Sequence, residues 1–225
     1  MSSVSHPIAI IPARGNSKRL TRKNILPWKG IPLVAHCVKN ALATNLFSEV
    51  VVSSEDDEIL EISAKVGASP IKRQANLSKD SSTVAEVCMS VLPSYSDIKQ
   101  FCCIYPTAVK LTAETIKDSF KTFEKTEDCD FLMGVSLYNY PPQQALIQDE
   151  NGDLILLNPK FENVQSQFYK ECFVSNGTFY WAKKSVFLKQ RNFYGKNLKP
   201  FVVDEHQVSD INTPNDYAIL LKSQN

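Results

Sequence analysis

Arg14, Lys18, Arg19, Arg22, Lys23 and Lys29 crowd the span 14–29, with Gly15 and Ser17 among them, and no acidic side chain precedes Glu49 to neutralise them. Such a cluster calls for an anion from outside the chain, or for a distant acidic group within it. Arginine offers phosphate a planar fork and lysine a mobile point charge. Gly15 lets the backbone approach closely and Ser17 adds a hydroxyl. Together these residue types suit a nucleoside triphosphate. Neither G-x-x-x-x-G-K-[ST] nor G-x-G-x-x-G is present here, so side-chain cations must do what backbone amides do in those loops. A solvated basic surface loop is the alternative that charge alone leaves open.

The elements that would hold this loop are read from periodicity. Ile8 to Ile11 is an all-apolar run of the kind a central parallel strand shows, and Pro12 ends it. The spacing of Val34, Cys37, Val38 and Ala41 predicts a helix from about Pro32 to Leu46, with His36 on its surface rather than ligating a metal. A strand at Glu49–Ser54 and a helix from Glu55 to Val66, stopped by Gly67, repeat the alternation. Phe101–Tyr105 is a further central strand, followed at once by Pro106-Thr107. Thr112 caps a helix through about Phe123, and Phe131–Ser136 is the next strand. This alternation predicts an α/β fold: a Rossmann-like, doubly wound, mostly parallel sheet. Ligands of such sheets bind at the carboxyl ends of the strands, where the basic loop and Thr107 both fall.

From Leu137 to about Gln167 the texture becomes aromatic and proline-rich, with an Asn-Gly hairpin signal at Asn151-Gly152. It reads as a small β excursion from one domain spanning 1–225. Gln143 and Gln144 in this stretch suit a polyhydroxylated acylamido ligand, since each amide donates and accepts; exposed hairpin residues are the alternative. A net charge of +1 makes the basic loop local and argues against a general nucleic-acid binder. The six cysteines lack C-x-x-C pairing and read as reduced thiols. The first residues show neither a charged n-region nor an apolar h-region, and no stretch is long enough to span a bilayer. A cytoplasmic protein without a membrane partner is the expectation.

Ile-Pro-Ala-Arg-Gly-Asn-Ser-Lys-Arg followed by Arg-Lys-Asn resembles the signature of the cytidylyltransferases that activate nonulosonic (sialic-type) acids as CMP-sugars, over nearly the whole chain. The resemblance implies a nucleotide-diphospho-sugar transferase type of fold, CTP and a nonulosonic acid as partners, magnesium as cofactor and a homodimer formed through the excursion. It places Arg14, Ser17, Lys18, Lys23 and Asn24 on the nucleotide and its phosphates. Arg73, Leu77, Ser78, Asp80 and Ser82 match the segment that reads cytosine, although Ser81, Ser82 or Thr83 could instead cap the next helix. Thr107, Gln143, Gln144, Asn176 and Tyr180 fall where that family builds its sugar site. Pro-Pro-Gln-Gln-Ala-Leu146 resembles the pseudaminic branch, whereas Ser175-Asn-Gly-Thr178 is more similar to sialic acid enzymes. Asp210-Ile-Asn-Thr-Pro214 matches the family's metal motif, with Asn212 where the family carries a second Asp. Arg14, Lys18, Lys23 and Asp210 would then be catalytic, and Asp210 with Asn212 would hold the metal. A helix cap is the alternative for that pair.

Overall fold

The computed structural model describes residues 6–79 and 81–223. The chain begins with β1 (Ile8–Pro12), whose apolar residues are buried on both faces, and then the basic loop. A short hairpin, β2 (Pro27–Trp28) and β3 (Ile31–Pro32), leads into α1 (Leu33–Leu42). β4 (Glu49–Ser54), α2 (Asp57–Lys65) and β5 (Ser69–Lys72) follow, then α3 (Val84–Val91) and β6 (Gln100–Ile104). Next come α4 (Ala113–Lys125), β7 (Phe131–Leu137), and the outlying hairpin of β8 (Leu146–Gln148) and β9 (Leu154–Leu156). The chain closes with β10 (Phe173–Lys183), α5 (Lys184–Gln190), β11 (Leu198–Val202) and α6 (Pro214–Lys222).

Seven strands form one sheet in the order β11-β7-β10-β6-β1-β4-β5. All pairings are parallel except those of β10, which runs antiparallel to both β6 and β7. The doubly wound, mostly parallel sheet expected from the alternation is present. Two edge strands and α5 were not anticipated. β5 and β11 are half-exposed and carry Pro70 and Pro200, residues that edges tolerate and that erase the apolar strand signal. The segment that follows α2 therefore starts inside the sheet.

Helix ends follow local chemistry. Asp56 caps α2 by accepting from the Ile59 N–H, Thr83 and Glu86 form a reciprocal cap on α3, and Thr112 caps α4. Thr213 and Asp216 do the same for α6, with Pro214 at the first helical position. Two apolar layers cover the sheet. On one, Trp181 is fully buried among Phe47, Phe120 and Phe123, and its indole N–H donates to Ser119 Oγ at 2.8 Å. His36 is not on the helix surface: it is half-buried against the Trp28 ring and donates from Nε2 to the Trp28 carbonyl.

The β excursion leaves the end of β7 and returns at the start of β10, where Leu137 pairs with Phe173 and the Tyr138 N–H donates to the Cys172 carbonyl. Its hairpin turns through Asp149, whose Oδ1 accepts from the Asn151 and Asp153 amides at 2.9 Å. Leu146, Leu154, Phe168 and Tyr140 are exposed on it. Among the described residues no helix is long and apolar enough to cross a membrane.

Candidate active site

A cleft of about 270 Å³ opens at the carboxyl ends of the parallel strands. Arg14, Arg19, Lys23 and Asn24 enter it from the loop after β1, and Arg73 from the end of β5. Ser82 comes from the approach to α3, Tyr105 and Thr107 from the turn after β6, and Asp210 with Asn212 from the segment before α6.

The loop is fastened on two sides. Toward β4, the Gly15 N–H donates to Glu55 Oε1 at 2.7 Å, and Arg22 pairs with Asp56 and Glu58. These are the distant acidic groups that the one-sided charge required. Gly15 is needed for close approach, but to Asp56: a Cβ there would lie 2.6 Å from Asp56 Oδ2 and 2.7 Å from its Cβ. Asn24 Nδ2 donates to the Arg14 carbonyl at 2.8 Å and folds the loop on itself. Toward the C-terminal segment, Lys23 Nζ donates to the Ile211 carbonyl, Arg19 to Asn212 Oδ1, and Asn212 Nδ2 to Asp210 Oδ1, each at 2.7 Å. Tyr217 adds a bond to the Pro27 carbonyl at 2.6 Å.

Burial sets the electrostatics. Desolvation pushes the Lys23 ammonium below its ordinary pKa, with Asp210 pulling it back up. Arg73 is buried too, its guanidinium donating to the Ser53 carbonyl at 2.6 Å and lying 3.8 Å from Glu55 Oε2. Burial lowers its pKa and Glu55 opposes that. Asp210 approaches the left-handed Gly177 (φ +66), where a Cβ would stand 3.6 Å from its carboxylate. Thr107 is buried, its carbonyl accepting from Ser209 Oγ at 2.7 Å.

The structure therefore brings Arg14, Lys23, Asn24, Arg73, Ser82, Thr107, Asp210 and Asn212 to one cleft. Ser17 and Lys18 stay on the same loop outside its lining. Leu77 and Ser78 also lie outside the lining, and the Ser78 hydroxyl bonds the Gln74 carbonyl at 3.2 Å. Asp80 lies outside the described residues. Gln143 is buried and holds the base of the excursion through Nε2, which donates to the Lys170 carbonyl at 3.0 Å, while Gln144 is exposed. Asn176 bonds Thr178 at 2.6 Å and Ser136 at 3.3 Å. Tyr180 meets the cleft indirectly, its hydroxyl 3.3 Å from that of Tyr105. Sequence reasoning missed Tyr105 and Glu55 as parts of the site. The position of each at a strand's carboxyl end was the available signal.

For a divalent metal the fit is partial by protein donors alone: among the described residues no group of three or more His, Cys, Asp or Glu side chains could hold one. Asp210 supplies one carboxylate, and Asn212 an amide oxygen that accepts from Arg19 at 2.7 Å and would have to leave it to meet a cation. That set fits a hard cation taking its remaining ligands from phosphates and water.

Residues 8–207 match the family model described as cytidylyltransferase. A pseudaminic acid cytidylyltransferase of Campylobacter jejuni is 34% identical over 93% of this chain and 92% of its own. A CMP-N,N'-diacetyllegionaminic acid synthase of Legionella pneumophila is 29% identical over 96% of this chain and 94% of its own. Among solved structures, a CMP:2-keto-3-deoxy-manno-octonic acid synthetase complexed with CTP superposes with a TM-score of 0.74 over 97% of this chain and 98% of that one. At 15% identity, that likeness shows the fold alone.

Proposed function

The chain belongs to the cytidylyltransferase family, and from that premise we propose that it transfers CMP from CTP to the anomeric hydroxyl of pseudaminic acid. The anomeric oxygen bonds to the α-phosphorus, the bond from that phosphorus to the bridging oxygen of pyrophosphate breaks, and the hydroxyl proton is released. The observation that carries the reading is the convergence of the cationic loop, Arg73 and Asp210 on one cleft at the strand ends.

Catalysis here is positioning and charge neutralisation. Arg14, Lys18 and Lys23 offset the charge of the triphosphate and of the departing pyrophosphate, with Ser17 and Asn24 on the same nucleotide. Cytosine presents an N4 donor beside N3 and O2 acceptors. Arg73 and the Ser82 hydroxyl face O2, while backbone carbonyls of Leu77 and Ser78 opposite N4 make the pocket prefer cytosine to uracil. Thr107, Gln143, Gln144, Asn176 and Tyr180 form the acceptor side. Asp210 and Asn212 would hold magnesium, which would supply positive charge against the triphosphate.

The exposed Leu146, Leu154 and Phe168 support the excursion, within a single domain of 1–225, as a homodimer contact. Light scattering in solution tests it: a mass of one 25.3 kDa chain would overturn it. CTP supply and six free cysteines fit the cytoplasm.

The test of function is magnesium-dependent pyrophosphate release from CTP with pseudaminic, legionaminic, N-acetylneuraminic and Kdo acids offered separately. Release with pseudaminic acid is expected. Release with another acid alone would reassign the acceptor, and silence with all four despite CTP binding would overturn the transferase reading.

A further inference from the structure

Glu55, the residue after β4, sits between the two ends of the proposed nucleotide site without lining the cleft itself. Its Oε1 accepts the Gly15 backbone N–H at 2.7 Å. Its Oε2 lies 3.8 Å from Arg73 Nη1 and is buried without a hydrogen bond of its own. The Arg73 side chain is only 4% exposed and that of Glu55 19%. A carboxylate beside a triphosphate site opposes the ligand, since like charges repel more strongly as water is excluded. Its benefit must therefore lie in what it does to the protein. Arg73 is already bonded to the Ser53 carbonyl, two positions earlier, so β4 grips the guanidinium at two points. The same carboxylate fixes the backbone next to Arg14.

We propose that Glu55 is a positioning residue that locks base recognition and phosphate binding into one frame, holding Arg73 by charge and the basic loop by the Gly15 amide. This role rests on the reading of the cleft as a CTP site. Without Glu55, a buried cation would lack its counter-charge and a backbone donor its acceptor.

Glu55→Gln separates the two tasks. The amide oxygen can still accept from Gly15, but the side chain no longer neutralises Arg73. Calorimetric affinities for CTP, UTP and inorganic tripolyphosphate, with a thermal melt as a check on folding, read the outcome. Glu55→Gln is expected to bind CTP and UTP each about tenfold more weakly, because Arg73 faces the O2 that both bases present, and to keep most of its affinity for tripolyphosphate. Glu55→Ala is expected to weaken tripolyphosphate as well; if that variant does not fold, the near-isosteric Gln variant still decides. A merely structural role would weaken all three ligands alike. Glu55→Gln with the wild-type ratio of CTP to tripolyphosphate affinity, in a protein that binds CTP, would overturn the coupling alone. Absence of CTP binding in the wild type would overturn the nucleotide reading and this role with it.

Discussion

Replacing Gly15 by alanine adds one carbon at the tightest point of the loop. The backbone there is not left-handed, so the cost comes from space alone. The new Cβ would stand 2.6 Å from Asp56 Oδ2, 2.7 Å from its Cβ and 3.0 Å from its Cγ, and ordinary contact begins near 3.4 Å. One side must retreat by about 0.8 Å. Asp56 resists, because it caps α2 through Ile59 and pairs with Arg22. The loop must therefore lift, stretching the Gly15–Glu55 bond and moving Arg14. Overpacking of this kind costs about 1–3 kcal/mol. At about 2–4 °C per kcal/mol for a chain of this size, the melting temperature should fall by roughly 2–12 °C. A misplacement approaching 1 Å should lower kcat/KM for CTP by about 100-fold. Pyrophosphate release and a thermal melt measure both. Asp56→Ala should not rescue Gly15→Ala, since its Cβ remains in the way. Asp56→Gly clears all three atoms at only a few tenths of a kcal/mol in capping, so the double variant should recover toward Asp56→Gly alone. Wild-type melting and kcat/KM in Gly15→Ala would refute the steric argument, as would a double variant no better than the single one.

Asp210→Asn should abolish turnover while CTP still binds by calorimetry; undiminished turnover would remove Asp210 from the machinery. Ser119→Ala should cost about 1–3 kcal/mol in urea unfolding, because it strands the buried Trp181 N–H, and a change under a few tenths would show that another partner takes over. His36 is held below its ordinary pKa by burial, against the raising effect of its bond to the Trp28 carbonyl. The folded state thus favours the neutral ring while the unfolded chain takes up a proton near pH 6.5. Its stabilising contribution is complete above that pH and shrinks as the pH falls below it. Melting curves between about pH 7.5 and 5.5 should fall more steeply for wild type than for His36→Gln, and parallel curves would exclude the effect.

Local signals were legible wherever local chemistry decides the structure. The apolar runs of β1, β4 and β6 and the cap at Thr112 needed no knowledge of the rest of the chain. The reversed direction of β10 was not legible, since a strand's direction is set by its sheet neighbours and leaves no mark on its own residues. The edge strands with Pro70 and Pro200 hid for the opposite reason, their composition denying a role that position in the sheet permits. In the site, the cations of the basic loop announced themselves by density, whereas their meeting with Asp210 was legible only through motif resemblance. Glu55 and Asp56 read as the opening of a helix. Asp56 does cap it, but both residues also turn back to hold the loop, and no periodicity encodes that.

The pinch at the base of the excursion has an evolutionary consequence. The segment from Tyr138 to Cys172 begins and ends on paired strands, with Leu137 opposite Phe173, so the sheet rather than the segment keeps its two ends together. Lengthening such a loop is entropically cheap, about 0.6 kcal/mol for each doubling. The excursion is therefore an exchangeable cassette: insertions, deletions or wholesale replacement there can be sampled by a lineage while the strand ends that carry Arg14, Arg73 and Asp210 keep their register. On the proposed assignment of the acceptor side, a chain built this way can change what it accepts while keeping what it donates.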